Sequence, residues 1–226
     1  HPHKDDKVIT AWNGLMIEAL AVAGVVLGES RYLDAARQAV VFIDEKLRRK
    51  DGRLLHTWRN GAAKYDGFLD DYSYLACGLI TLYEATGEAK YLSQAIADME
   101  VVLARFSDAG QGGFFYTADD QEALLVRNKE FADNAVPCGN AMAALALVKL
   151  AKLTGEERYL TAGEKTMQAS AEIMQRYPSA AAQMLQGVDF LLGPTYELVF
   201  ASDQGPEARD VLAELQQQFL PNKVLA

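Results

Sequence analysis

The chain has 226 residues, 50% hydrophobic and 23% charged, with a net charge of −9 and a pI near 4.9. Such a composition supports a packed core in one domain plus a small appendage, and excludes a disordered or fibrous chain. The acidic balance offers no basic stripe for a nucleic acid or an anionic membrane surface, so neither is expected as a partner.

From the N-terminus, "AWNGLMIEALAVAGVVL" (11–27) is apolar on nearly every face, which predicts a helix buried on all sides. It ends at "GESRYL" (28–33), where Gly28 fits the left-handed position that closes a helix. The following "YLDAARQAVVFIDEKLRRK" (32–50) carries Asp34, Arg37, Gln38, Asp44 and Lys46 on one side, so it reads as an outer, half-wet helix. "DGRLLHTWRNGAAKY" (51–65), with its Asn-Gly turn between apolar alternations, reads as a short β-hairpin. A second apolar helix follows from Tyr72 to Ala85, and "GEAKYL" (87–92) ends it as "GESRYL" ends the first. "GQGGFFYTADDQEALLVRNKEF" (110–131) is expected to form another short β-hairpin or extended loop. A third apolar helix spans Asn140 to Leu153 and closes on "GEERYL" (155–160). Beyond Pro178 and the run to Leu192, "YELVFASD" followed by "PEARDVLAELQQQFL" reads as strand then helix.

The repeated G-E-x-[RK]-Y-L turn makes the unit a helical hairpin with an inner and an outer helix. Concentric hairpins of this kind build an all-α, α/α toroid, here three hairpins (about 10–50, 70–106 and 139–176) of a six-hairpin barrel, within residues 1–192. Residues 193–226 form a small α/β tail. The apolar edges of such an arc suit association with a second copy.

When the repeats are laid over one another, Asn13, Tyr72 and Asn140 begin the inner helices, and Trp12, Asp71 and Gly139 precede them. Asp6 and Asp133 match further upstream. Acids therefore gather on one rim with three helix N-termini, a setting suited to anionic or polyhydroxylated ligands. Asp71 and Asp133 are the candidate catalytic pair, as proton donor and base of a glycoside-handling site. Trp12, Asn13, Trp58, Tyr72, Arg127, Lys129 and Asn140 are the candidate substrate contacts. Each has a bland alternative, namely helix caps for the acids and packing for the aromatics. In "GFLDDYSYL" (67–75), Asp70 is assigned to the cap and Asp71 to the cavity. His56 is assigned to packing, and Cys77 to core filling. Cys77 and Cys138 lack CxxC spacing and metal-ligating neighbours, so no disulfide, metal or cofactor is expected, and a reducing cytoplasm fits. The longest apolar run is interrupted by Glu18 and too short to span a bilayer. The missing initiator Met and the abrupt "FLPNKVLA" are expected of a portion of a longer protein.

Together "DDKVITAWNGLMIEALA", "GFLDDYSYL", "GGFFYT", "RNKEFADNAVPCGNAMAAL" and "LTGEERYL" resemble the C-terminal helical region of thioredoxin-domain proteins related to spermatogenesis-associated protein. The resemblance runs from about Asp5 to the end. It implies an (α/α)6 toroid like that of six-hairpin glycosidases and N-acylglucosamine 2-epimerases, preceded elsewhere by a thioredoxin-like domain. The shared positions are Trp12, Asn13, Gly67, Phe68, Asp71, Tyr72, Gly113, Arg127, Lys129, Asp133, Pro137, Gly139 and Asn140. Cys138 departs from the family's usual serine. The resemblance supplies a fold without a reaction, so two functions are carried forward. One is a carbohydrate-active cavity, hydrolase-like or epimerase-like. The other is a non-catalytic toroid that binds a peptide or protein for the thioredoxin-like domain.

Overall fold

The computed structural model describes residues 5–122, 125–201 and 206–226. Gly28, Gly87 and Gly155 adopt left-handed backbone, with φ of 66°, 69° and 74°, at the close of three apolar helices. These are α1 (Thr10–Val26), α3 (Leu69–Thr86) and α5 (Gly139–Thr154), and each turn hands on to an amphipathic partner: α2 (Ser30–Lys46), α4 (Ala89–Arg105) and α6 (Glu157–Ala169). The tyrosines of the last two turns, Tyr91 and Tyr159, are buried and start the inward stripe of the second helix in each pair. The inner and outer assignment follows from burial. Helix α3 buries nearly every residue from Leu69 to Leu82, whereas α2 buries only Ala36, Val40 and Ile43, one narrow stripe.

Helices α1 and α3 touch through their backbones. A Cβ on Gly14 would lie 2.6 Å from the Leu75 nitrogen, and one on Gly78 would lie 2.6 Å from the Gly14 oxygen. Only glycine at both places lets the helices approach so closely. Helix α1 forms the edge of the inner row, and Trp12, Met16, Val22 and Val26 on its outer stripe are exposed.

Strands β1 (Val8–Ile9), β2 (Leu55–Arg59) and β3 (Ala62–Asp66) form an antiparallel sheet in that order. Asn60 and Gly61 both have positive φ, as a two-residue primed hairpin turn requires. The register, from Leu55 opposite Asp66 to Arg59 opposite Ala62, brings His56 to the start of α3. Of the two forms expected for the second stretch, the extended loop is found: among the described residues of 106–138 only the isolated Ser107–Phe114 bridge forms, and scattered backbone bonds such as Tyr116 N–H to the Asn128 carbonyl, with side-chain bonds, fasten the rest.

After α6 the chain breaks at Ser170 into the short α7 (Ala171–Arg176) and a 3-10 turn (Pro178–Ala181). Helix α8 (Ala182–Leu192) then packs on α5 through a second apolar cluster that includes Ala141, Val148, Met184 and Phe190, so the inner row gains a fourth helix beyond the three expected. The tail is β4 (Tyr196–Leu198), α9 (Pro206–Gln217) and β5 (Lys223–Leu225), with β4 and β5 parallel. It seats on the closing turn of α3, where Gln216 Nε2 donates to the Glu84 carbonyl at 2.8 Å. No helix among the described residues is long and apolar enough to cross a membrane.

The α1–α3 contact is tested by Gly14→Ala, expected to cost about 2 kcal/mol of unfolding free energy through overpacking. Gly28→Ala meets open space and strains only its own φ, for about 1 kcal/mol. Urea denaturation of both should rank them in that order, and a smaller loss at Gly14 would contradict the close approach.

Candidate functional site

Helix α3 begins at Leu69 without a side-chain N-cap, because Phe68 stands at the cap position. Asp71, three residues on, bends back instead: its Oδ2 accepts the Phe68 N–H at 2.9 Å, the N3 half of a capping box. Its Oδ1 accepts the Ala11 N–H at 2.9 Å, capping the first turn of α1 as well. His56 Nδ1 lies 2.9 Å from Oδ2, so the same carboxylate binds β2. Asp71 has no solvent exposure. Burial pushes its carboxyl up, while His56 and the two amide donors pull it down. The carboxylate in turn raises the His56 pKa above its ordinary value, against the lowering effect of burial.

With Asp71 turned back, Asp70 at the second helical position faces the other way. It lines a cavity of about 330 Å³ with Leu69, Tyr116, Glu130, Asn134 and Asn140. Its carboxyl makes no hydrogen bond or ion pair among the described residues. Burial, then the charges of Asp71 and Glu130, raise its pKa from 3.8 to about 7. Gly139 makes room for it, since a Cβ there would fall 2.1 Å from Asp70 Oδ1. An aromatic row runs past the acids: His56 sits edge-on to Phe68, and Phe68 stacks on Tyr116, both with centroids 4.9 Å apart.

The far wall is the 106–138 segment, fixed by a series of side-chain staples. Asn140 accepts the Phe114 N–H at 2.7 Å and donates to the Phe114 and Glu130 carbonyls, each at 2.9 Å. Lys129 Nζ reaches Asp108 at 2.6 Å and the Gly112 carbonyl at 3.1 Å. The Arg127 guanidinium donates to the Thr117 carbonyl and lies 4.2 Å from the centre of the Phe115 ring. The Tyr74 hydroxyl donates to the Pro137 carbonyl. Asp133 repeats the part of Asp71 one helix further round: it accepts the Cys138 N–H at 2.8 Å ahead of α5 and the Gln183 N–H at 2.9 Å in α8.

The sequence-predicted residues therefore divide. Asp71 and Asp133 both serve as caps, and it is Asp70 rather than Asp71 that lines the cavity. Tyr72 is fully buried, its hydroxyl accepting from Leu54 N–H and Arg53, and Trp58 packs edge-on to Phe42 between β2 and α2. Arg127 and Lys129 hold the wall rather than face the cavity. Asn13 donates to the Ile9 carbonyl in its own first turn. Asn140 does line the cavity, and Trp12 stands 60% exposed at the rim. His56, Tyr116 and Glu130 join the site without having been selected. The signal for Asp70 was present, since an acid three residues past a cap turns back and frees its neighbour; Glu130 carried no such signal. Cys138 borders the cavity with a thiol that burial pushes up to about 11, which leaves it unreactive. Among the described residues no three His, Cys, Asp or Glu side chains converge as a metal site.

No family model matches the chain. Spermatogenesis-associated protein 20 of Homo sapiens is 31% identical over 237 residues, covering 99% of this chain and 30% of that protein. The Rattus norvegicus protein of the same name is 33% identical over 236 residues, with the same coverage. Along almost its whole length the chain is similar to one part of spermatogenesis-associated protein 20. It spans 30% of the length of these relatives. Among solved structures, a GH76 alpha-mannanase from Bacteroides thetaiotaomicron superposes with a TM-score of 0.64 at 14% identity, over 96% of this chain and 58% of that one. Cellobiose 2-epimerase from Spirochaeta thermophila gives a TM-score of 0.64 at 16% identity with the same coverage. At these identities the likeness establishes the fold alone, an α/α toroid like that of six-hairpin glycosidases.

Two measurements separate the adjacent acids. Asp71→Ala is expected to cost about 3 kcal/mol or more, since it leaves two buried amides and a histidine unpaired; in Asp71→Asn the His56 ring, followed by NMR, should titrate at lower pH than in the parent. For Asp70 the folded pKa lies above the unfolded one, so the native state holds the extra proton and stability falls as pH rises from about 4 to 7. Asp70→Asn should therefore be more stable than the parent at pH 8 by ~2 kcal/mol, about half the unscreened value, and equal to it below pH 4. Equal stability at both pH values would remove the claim that Asp70 is an unpaired acid.

Proposed function

We propose that the rim cavity is a carbohydrate site and that Asp70 is its proton donor. The observation that carries this reading is an unbonded carboxyl, held near pKa 7, lining a cavity beside stacked aromatic rings. A group that is half protonated at neutral pH can give its proton to a leaving oxygen and then stabilise as carboxylate. Polyhydroxylated rings stack on a face such as that of Tyr116 and exchange hydrogen bonds with a side-chain amide such as that of Asn134. In the hydrolytic form of the reaction Asp70 protonates the glycosidic oxygen as the C–O bond breaks. Water adds to the anomeric carbon and passes its proton to Glu130, the second carboxylate lining the cavity. His56, held by Asp71 through Nδ1, stands beside the donor, and no hydrogen bond engages its Nε2 among the described residues. A mannanase, a cellobiose 2-epimerase and an unsaturated glucuronyl hydrolase share this fold, which supports the class of ligand.

One observation favours a second reading. Asp71 and Asp133, the two acids selected as the candidate pair, act as caps, as a binding toroid without chemistry would use them. In that case the cavity would hold a peptide or protein segment for a thioredoxin-like domain elsewhere in the protein.

Asp70→Asn in the full-length protein decides between them. Screened against oligosaccharides, the variant should lose 10²- to 10⁴-fold in kcat with the limb of the pH profile near 7 abolished. Turnover unchanged by the substitution would remove Asp70 from the chemistry, and peptide capture unaffected by it would favour the second reading.

A further inference from the structure

The cavity that Asp70 lines has a neighbour. Glu130, Ala132 and Asn134 border it and also border a second cavity of about 450 Å³, so the two adjoin across the 130–134 segment. Ile173 and Arg176 of α7, and Tyr177 directly after it, line the second cavity. Tyr177 closes α7 and stands 63% exposed, its ring free to take a partner.

The segment between the cavities is fastened from both sides. At the start of α5, Asn140 Nδ2 and Cys138 Sγ donate to the Glu130 carbonyl at 2.9 and 3.0 Å. On the other side the Asp133 N–H donates to the Ala180 carbonyl at 2.7 Å, and Asp133 Oδ2 accepts the Gln183 N–H at 2.9 Å. These bonds tie the 130–134 segment to the stretch of chain that carries Tyr177. The spacing of the two cavities is therefore set by the fold before anything binds, which lowers the cost of binding a ligand that spans both.

Charge narrows the ligand. Among the described residues lining the two cavities, Asp70, Glu130 and Glu172 are acids and Arg176 is the one base. Arg176 lies 3.0 Å from Glu172 and is matched by it. Asp70 and Glu130 are left without a cation, so a ligand bearing its own carboxylate meets like charge, whereas a neutral one does not.

We propose that the second cavity is a further sugar subsite and that the ligand is a neutral oligosaccharide of two or more units. This rests on the carbohydrate reading of the rim. One unit occupies the Asp70 cavity, whose volume of about 330 Å³ is near the lower end of ligand pockets. The next unit stacks on the Tyr177 ring beside Ile173, and the linkage between them passes Glu130 and Asn134, which both cavities share.

Calorimetry on the full-length protein tests this with glucose, mannose and galactose, with cellobiose, mannobiose and galactobiose, and with digalacturonate as the acidic probe. At least one neutral disaccharide should bind about tenfold more tightly than its own monosaccharide, and digalacturonate should not bind. Tyr177→Ala, a change at an exposed side chain, should bring that disaccharide down to the affinity of its monosaccharide and leave the monosaccharide unaffected; Tyr177→Phe should behave as the parent. Equal affinity for monosaccharide and disaccharide, a disaccharide advantage that survives Tyr177→Ala, or digalacturonate bound as tightly as the neutral disaccharides would each overturn the proposal and leave the Asp70 cavity standing as a sugar site. Absence of binding by every sugar would instead overturn the carbohydrate reading of the rim, and this inference with it.

Discussion

One buried carboxylate fixes the geometry on which the rim depends. Asp71 accepts from the first turns of α1 and α3 and binds His56 of β2, so a single group sets the relative positions of two inner helices and the hairpin between them. Neither helix carries its own side-chain cap, and both would otherwise end in unpaired buried amides. The glycine contact of Gly14 with Gly78 permits the helices to meet, and Asp71 decides where along their length they do so.

Asp133 applies the same device to the next pair. It bridges the turn before α5 to the first turn of α8, and its backbone N–H donates to Ala180 in the intervening chain. An inner row assembled this way lets each carboxylate serve two helix N-termini, Asp71 those of α1 and α3 and Asp133 those of α5 and α8. The acids that collect at the rim are thus consumed pairwise by the architecture, and Asp70 is conspicuous because it is left over. The 106–138 segment can serve as the facing wall despite lacking regular strands, because Asn140, Lys129 and Arg127 replace a ladder of backbone bonds with side-chain bonds.

The hairpin order, the inner and outer helices and the closing glycines were legible in the sequence, since apolar periodicity and left-handed glycines are local signals. The irregular wall was not. "GQGGFFYTADDQ" has the alternation and turn residues of a hairpin, yet its backbone bonds scatter to Phe106, Leu69, Asn128 and Arg105, and Asn140 of α5 holds Phe114. The fourth inner helix was also hidden, because "AAQMLQGVDFLL" lacks the G-E-x-[RK]-Y-L turn that marked the others. At the rim, repeat alignment singled out Asp71, whereas the acid of the pair that lines the cavity is Asp70. Alignment reports which positions are equivalent in the helix, whereas the choice between cap and cavity depends on which acid can curl back to the N-cap amide.

The ionisation of Asp70 shows which force prevails there. As the second residue of α3 it sits where the helix dipole favours a carboxylate, an effect worth about 0.3–1 kcal/mol near an exposed terminus. A pKa raised to about 7 requires opposing contributions several times larger, and they come from burial together with the charges of Asp71 and Glu130. An acid placed for capping would be expected to bond to the N–H groups that the dipole represents. Asp70 forgoes those bonds, and Gly139 leaves the space that keeps its oxygen against the start of the next inner helix. A residue that costs stability, in a pocket shaped to hold it, is better explained by what enters the cavity than by what holds the fold together.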